Sequence, residues 1–286
     1  MQAARAIITR PQRDAEKWVL RLRQAGIDAE ALPLIEIAPL AQSPDPARLP
    51  ADYAACLFVS GHAVEHFFKE NTAFAPSPRA QSAIESIANR NPAMVRSASP
   101  GLRFLAPGPG TVAALRAAGI AEAQIDAPPP DAVQFDSEAL WRVIGQRDWQ
   151  GRRVLVVRGL SASADAQPPA PGRDWIARQW LQAGASVDFA AVYQRRAPLL
   201  SQTQLRRARA AAIDNSVWLF SSSEAVANLV GQAGLRGTDW SRARALATHP
   251  RIAEAARAAG WGVVAESRPS LGDIADALRS IESAYP

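Results

Sequence analysis

The chain repeats itself, and the repeat constrains its fold more than any other feature. RAIITR (5–10) returns as RVLVVR (153–158), and LFVSGHAV (57–64) returns as LFSSSEAV (219–226). LAPGPGTVAALRAAGI (105–120) aligns without a gap with LATHPRIAEAARAAGW (246–261). Three segments thus occur twice in the same order, and each reads as a short apolar strand, a tight turn and a helix. Gly26, Gly119, Gly184 and Gly260 stand where a left-handed C-terminal cap belongs. Strands alternating with helices predict an α/β protein of two similar domains, each a parallel sheet flanked by helices. LIEIAPL (34–40) and VYQRRAP (192–198) each follow a copy of the first segment and read as extended connectors. The proline-rich stretches at 39–50 and 128–130 read as linker and loop, and the insert at 161–171 as a mobile surface loop.

The turn in FLAPGPGTVAALRAAGI places Gly108, Gly110 and Ala113 at the G-x-G-x-x-A spacing of a dinucleotide-binding turn. The repeat speaks against that use, because its second copy carries His249 and Arg251 at the two glycine positions. Nor does the turn follow the first strand of a dinucleotide-binding unit, and Asp126, the acid about 20 residues on, precedes prolines rather than ending a clear strand. What both copies share is a helix N-terminus beside a strand's carboxyl end, where free N–H groups and the helix dipole attract anions. Thr9-Arg10-Pro11, Arg158-Gly159, Ser60-Gly61-His62 and Ser221-Ser222-Ser223 repeat that arrangement. If the two sheets face each other, these ends line one cleft, a receptor for a ligand rich in carboxylates or phosphates.

The net charge of +5 supports the same ligand class, because it is almost wholly arginine, the only lysines being Lys17 and Lys69. No basic stripe interleaves with aromatics, so nucleic acid is not expected; RRAR at 206–209 reads as a solvated helix face. No apolar run approaches the ~20 residues that span a bilayer, and MQAARAIITRPQ lacks a signal peptide's pattern, so a cytoplasmic protein is expected. The single cysteine, Cys56, lies in an apolar strand and reads as core. His62 and His66 are spaced as a metal pair, but no further ligand accompanies them. Ser60-Gly61-His62 lacks the second glycine of a nucleophile elbow.

Taken in order, Thr9-Arg10-Pro11, the text at 22–37, LFVSGHAV, FLAPGPGTVAAL, RG…GRDWI, VYQRRAP, LFSSSEAV and THPRIAEAARAAGW resemble the uroporphyrinogen-III synthase family over nearly the whole chain. The resemblance implies two α/β domains joined by a two-stranded antiparallel ladder. Residues 1–38 and 197–286 would form one domain, 39–196 the other, with connectors near 34–40 and 192–198. It implies a lyase of heme biosynthesis that closes hydroxymethylbilane, a linear tetrapyrrole with eight carboxylates, into uroporphyrinogen III with loss of water and inversion of ring D. No cofactor or metal is implied. The expected state is a monomer that makes transient contact with hydroxymethylbilane synthase.

The family's catalytic tyrosine matches Tyr193, whose phenol would assist the leaving hydroxyl; a ring packed on the hinge is the alternative. Substrate-binding roles fall on Thr9, Arg10, Ser60, Gly110, Thr111, Arg158, Arg173, Ser221 and Arg251. For Thr111, Ser60 and Ser221 the alternative is an ordinary helix cap, and for Arg10 and Arg158 a bridge to a neighbouring acid. Two readings from other classes compete: a non-enzymatic two-domain receptor for an anionic small molecule, and a flavin- or nucleotide-binding regulator.

Overall fold

The computed structural model describes residues 5–40, 53–70, 101–161 and 171–285. Most of the linker at 39–50 and most of the insert at 161–171 lie outside the described residues. The chain forms two compact units, Met1–Ile37 with Arg195–Pro286, and Ala38–Gln194.

The first unit is a five-stranded sheet in the order Val263–Glu266 (β11), Arg244–Ala247 (β10), Val217–Phe220 (β9), Ala6–Ile8 (β1), Ala29–Ala31 (β2). All its pairings are parallel. Alternation along each strand explains the layers. Val217 and Leu219 pack on Gln12–Gln24 (α1) and Leu271–Ala284 (α9). Trp218 and Phe220 face Gln202–Ala210 (α6), Ser223–Val230 (α7) and Pro250–Ala258 (α8). On that second side Trp218, Trp240 and Trp261 form one aromatic cluster, the last two stacked at 4.6 Å.

The second unit carries a six-stranded sheet: Glu36–Ala38 (β3), Ser186–Arg196 (β8), Arg153–Ser161 (β7), Ala55–Phe58 (β4), Arg103–Leu105 (β5), Ile125–Asp126 (β6). The run from β7 through β4 and β5 to β6 is parallel. Its helices are Gly61–Glu70 (α2), Pro109–Ala117 (α3), Ser137–Ile144 (α4) and Pro171–Gln182 (α5). Leu57, Leu105 and Val156 meet Leu140 of α4 and Trp180 of α5 on one face. Phe58 meets Phe67 and Phe68 of α2 on the other, with Phe104 stacked beside it. The segments expected to connect the domains lie in β3 and β8, which are neighbours in this sheet.

The sequence repeat reappears as identical strand register. Ile8 lies opposite Leu219, and Leu219 opposite Leu246. Their counterparts Val156, Leu57 and Leu105 pair in the same way. Each unit therefore shows the same spatial order of equivalent strands, with direction reversing between β1 and β9 in one and between β7 and β4 in the other. Unit by unit, however, the copies are exchanged. The first unit takes its opening segment from the first copy and the other two from the second, and the second unit does the converse. Gly26, Gly119, Gly184 and Gly260 all have positive φ, between 79° and 101°, as their helix-ending positions require.

Candidate functional site

In a doubly wound sheet, ligands bind beyond the carboxyl ends of the strands where chain direction reverses. Ser60, Tyr193 and Arg158 stand at this place in the second unit, and Thr9 and Arg10 at its counterpart in the first.

In the second unit, β4 ends at Phe58 and Ser60 opens α2, its Oγ accepting the Ala63 N–H at 3.2 Å. That oxygen also lies 3.0 Å from the Tyr193 hydroxyl. Tyr193 stands on β8, beside β7, and only 2% of it is exposed. Its ring lies on Gly159 of β7, where a Cβ would come within 2.4 Å of two ring carbons. His66 packs on the ring at 5.4 Å and His62 meets it edge-on at 6.1 Å. Arg158, expected to bind carboxylate, lies over the half-exposed ring of Phe189 at 4.5 Å.

The opening turn of the third segment sits close by. Gly108 caps α3 without a side-chain bond, so Thr111 is not the cap; it stands one turn into the helix, buried, with no hydroxyl partner among the described residues. Gly110 is exposed and a Cβ there would meet nothing, while a Cβ on Gly61 would lie 3.6 Å from the Gly110 carbonyl oxygen. The two helix starts are thus adjacent. Arg173 lies in α5, and its side chain is outside the described residues.

In the first unit, Thr9 is buried and its hydroxyl donates to the Leu219 carbonyl at 2.7 Å, tying β1 to β9 across the reversal. Arg10 turns along α1, its guanidinium 4.8 Å over the Trp18 ring, with Nε closed off from solvent and without a partner among the described residues. Burial pulls the Arg10 pKa down from its ordinary value, opposed by Asp14 and reinforced by Arg21. Ser221 is half-buried; the serine in register with Ser60 is Ser222, whose hydroxyl caps α7 by accepting the Glu224 N–H. Arg251 is exposed, and its backbone N–H donates to His249 Nδ1, so in this copy histidine caps the helix that glycine opens in the other.

Two other residue types singled out in the sequence have structural surroundings. Asp126 is gripped by bidentate contacts from Arg103 and Arg147, at 2.6–2.8 Å, and so is not an open partner for a ribose. Burial pushes the Cys56 thiol up to about 12. Among the described residues no group of three or more histidines, cysteines or carboxylates could hold a metal. No helix among them is long and apolar enough to cross a membrane. The sequence offered the hydroxyls of Ser221, Ser222 and Ser223 for capping or binding without choosing Ser222, and it did not mark Gly159 as the seat of a tyrosine ring. The first was legible in the alignment of SGHAV with SSEAV; the second had no signal, because it depends on which strand lies beside β7.

Two doubly wound units, each with polar side chains and helix starts at its chain reversal, define a two-domain α/β fold with a candidate anion-binding edge in each unit. Residues 16–276 match the family described as uroporphyrinogen-III synthase HemD. A solved mutant uroporphyrinogen III synthase from the extremely thermophilic bacterium Thermus thermophilus is 15% identical, covers 99% of this chain and 100% of its own, and has a TM-score of 0.54. The Helicobacter pylori uroporphyrinogen-III synthetase is 12% identical over 98% of this chain and 100% of its own, with a TM-score of 0.48. The chain belongs to the uroporphyrinogen-III synthase family. It is a lyase of porphyrin and heme biosynthesis, of a family that acts on a tetrapyrrole.

Proposed function

We propose that the chain closes hydroxymethylbilane into uroporphyrinogen III, with inversion of ring D and loss of water, and that the Tyr193–Ser60 pair assists the departing hydroxyl. The family match over residues 16–276 carries the reaction. The 3.0 Å contact between Tyr193 and Ser60, at the chain reversal of the second unit, supports the placement of the chemistry.

The reaction asks for little beyond pose and proton. Ring A expels its terminal hydroxyl to give an electron-poor azafulvene, and electron-rich ring D attacks it. Attack at the substituted carbon of ring D, then cleavage and re-closure, inverts that ring, whereas unassisted closure gives the type I isomer. Holding the chain in the productive pose is an orientation effect, and a hydrogen bond to the leaving oxygen grows stronger as charge develops there. Thr111 and the adjacent starts of α2 and α3 offer a hydroxyl and backbone donors to substrate carboxylates, as do Gly110, Arg158 and Arg173. Thr9 and Arg10 flank the corresponding reversal in the first unit, with Ser221 and Arg251 on neighbouring helix starts. We further propose that the protein works in the cytoplasm as a monomer, without cofactor or metal, and receives its unstable substrate directly from hydroxymethylbilane synthase.

Freshly prepared hydroxymethylbilane supplied to the protein, followed by oxidation and separation of porphyrin isomers, is expected to yield type III. Only type I, with and without protein, rejects the function. Tyr193→Phe is expected to slow type III formation at least several-fold while leaving the thermal midpoint nearly unchanged, since the ring stays on Gly159. A chelator is expected to change neither.

A further inference from the structure

The hydrogen bond between Tyr193 and Ser60 has a direction, and burial decides it. Tyr193 is 2% exposed, and Ser60 Oγ is the only partner of its hydroxyl among the described residues. Ser60 is half-buried and already accepts the Ala63 N–H at 3.2 Å. A serine hydroxyl has one proton and two lone pairs. If Ser60 donated inward, the phenol proton would remain enclosed with no acceptor among the described residues, an arrangement that burial penalises. If the phenol donates outward, Ser60 accepts twice and turns its own proton toward the accessible side. The ring cannot swing out to reverse these roles. Gly159 lies beneath it, and His66 and His62 of α2 hold it from the side.

We propose that Ser60 is the catalytic residue that touches the leaving hydroxyl, and that Tyr193 acts through it as a positioning residue and proton source. This rests on the reaction proposed above. The carbon–oxygen bond of the ring A hydroxymethyl group breaks with both electrons going to oxygen. That oxygen takes the Ser60 proton and leaves as water, and Ser60 takes the phenol proton in turn. Ring A then gives up its pyrrole N–H proton, which returns through Ser60 to the phenolate, leaving a neutral azafulvene and both hydroxyls restored. Among the described residues, the titratable side chains packed on the phenol ring are His62 and His66 on α2; on β7, Arg158 is turned onto Phe189.

The duplication supplies the control. Ser222 makes the same kind of helix cap as Ser60, in the other unit, so Ser222→Ala measures the loss of a cap alone through the thermal midpoint. Four variants are compared by rate of type III formation: Ser60→Ala, Ser60→Thr, Tyr193→Phe and the double Ser60→Ala/Tyr193→Phe. Ser60→Ala is expected to lower kcat at least tenfold, no less than Tyr193→Phe does, with KM moving under about threefold. Ser60→Thr restores most of the rate, and the double variant is no slower than Ser60→Ala. The tyrosine doublet in the ultraviolet resonance Raman difference between wild type and Tyr193→Phe is expected to carry the intensity ratio of a donating phenol.

An accepting phenol in that spectrum overturns the proposal, whatever the assay shows. So does wild-type kcat in Ser60→Ala, a double variant in which the two losses multiply, or a loss in Tyr193→Phe that far exceeds that in Ser60→Ala. These outcomes differ from failure of the reaction itself, in which the wild-type protein produces only type I porphyrin.

Discussion

At position 159 the backbone and a ring compete for the same space. A Cβ would lie 2.4 Å from Cε2 and Cζ of Tyr193, so any side chain must push the phenol off its seat. Gly159→Ala is therefore expected to destabilise the protein by about 1–3 kcal/mol, as overpacking does. It should also lower type III formation at least tenfold, because the 3.0 Å contact with Ser60 depends on that seat. Thermal unfolding together with the isomer assay checks both, and an unaltered rate would show that the seat is irrelevant to the chemistry. Thr9 illustrates the opposite situation, a hydroxyl expected to meet substrate whose proton is committed to the Leu219 carbonyl. Sequence could place Thr9, Ser60 and Tyr193 on strand ends and connectors, because turn chemistry and apolar periodicity are local. It could not assign their hydrogen bonds, which depend on strands brought together from 133 to 210 residues apart.

Among the elements, β5, β6 and the turn after α4 are locked by one carboxylate. Burial pushes the Asp126 pKa up, but hydrogen bonds from Arg147 and Arg103 outweigh it and hold the group at about 2, below the ordinary 3.8. A depressed carboxylate stabilises the fold fully above its unfolded value and loses that contribution as pH falls through the folded one. The second unit is thus expected to lose stability between pH ~4 and ~2, by about 1 kcal/mol after solvent screening. Asp126→Asn should flatten that part of the pH profile of denaturant unfolding; an unchanged slope would remove Asp126 as its cause. The repeated strand–turn–helix order, the helix-ending glycines and the parallel sheets were all legible in the sequence. The cap of α3 was not. A threonine one turn inside a helix and a threonine at its start look alike until Gly108 is seen to open the helix.

For the whole molecule, the discontinuity of the first unit sets an order of folding. Residues 38–194 contain every strand of the parallel run from β7 to β6, whereas β1 pairs with β9, more than 200 residues later in the chain. A chain ending at residue 196 is expected to keep a protease-resistant core beginning near β3, with residues 1–35 rapidly digested for want of β9 and α9. Equal resistance across that truncated chain would contradict the division. The exchange of copies between the units has a further consequence. A polypeptide half as long, carrying only one copy of the three segments, could reproduce this exchange of copies only by lending its leading strands to a twin and borrowing the twin's in return. The full-length chain has made that reciprocal loan internal, so that an embrace which would otherwise depend on protein concentration is secured by covalent linkage.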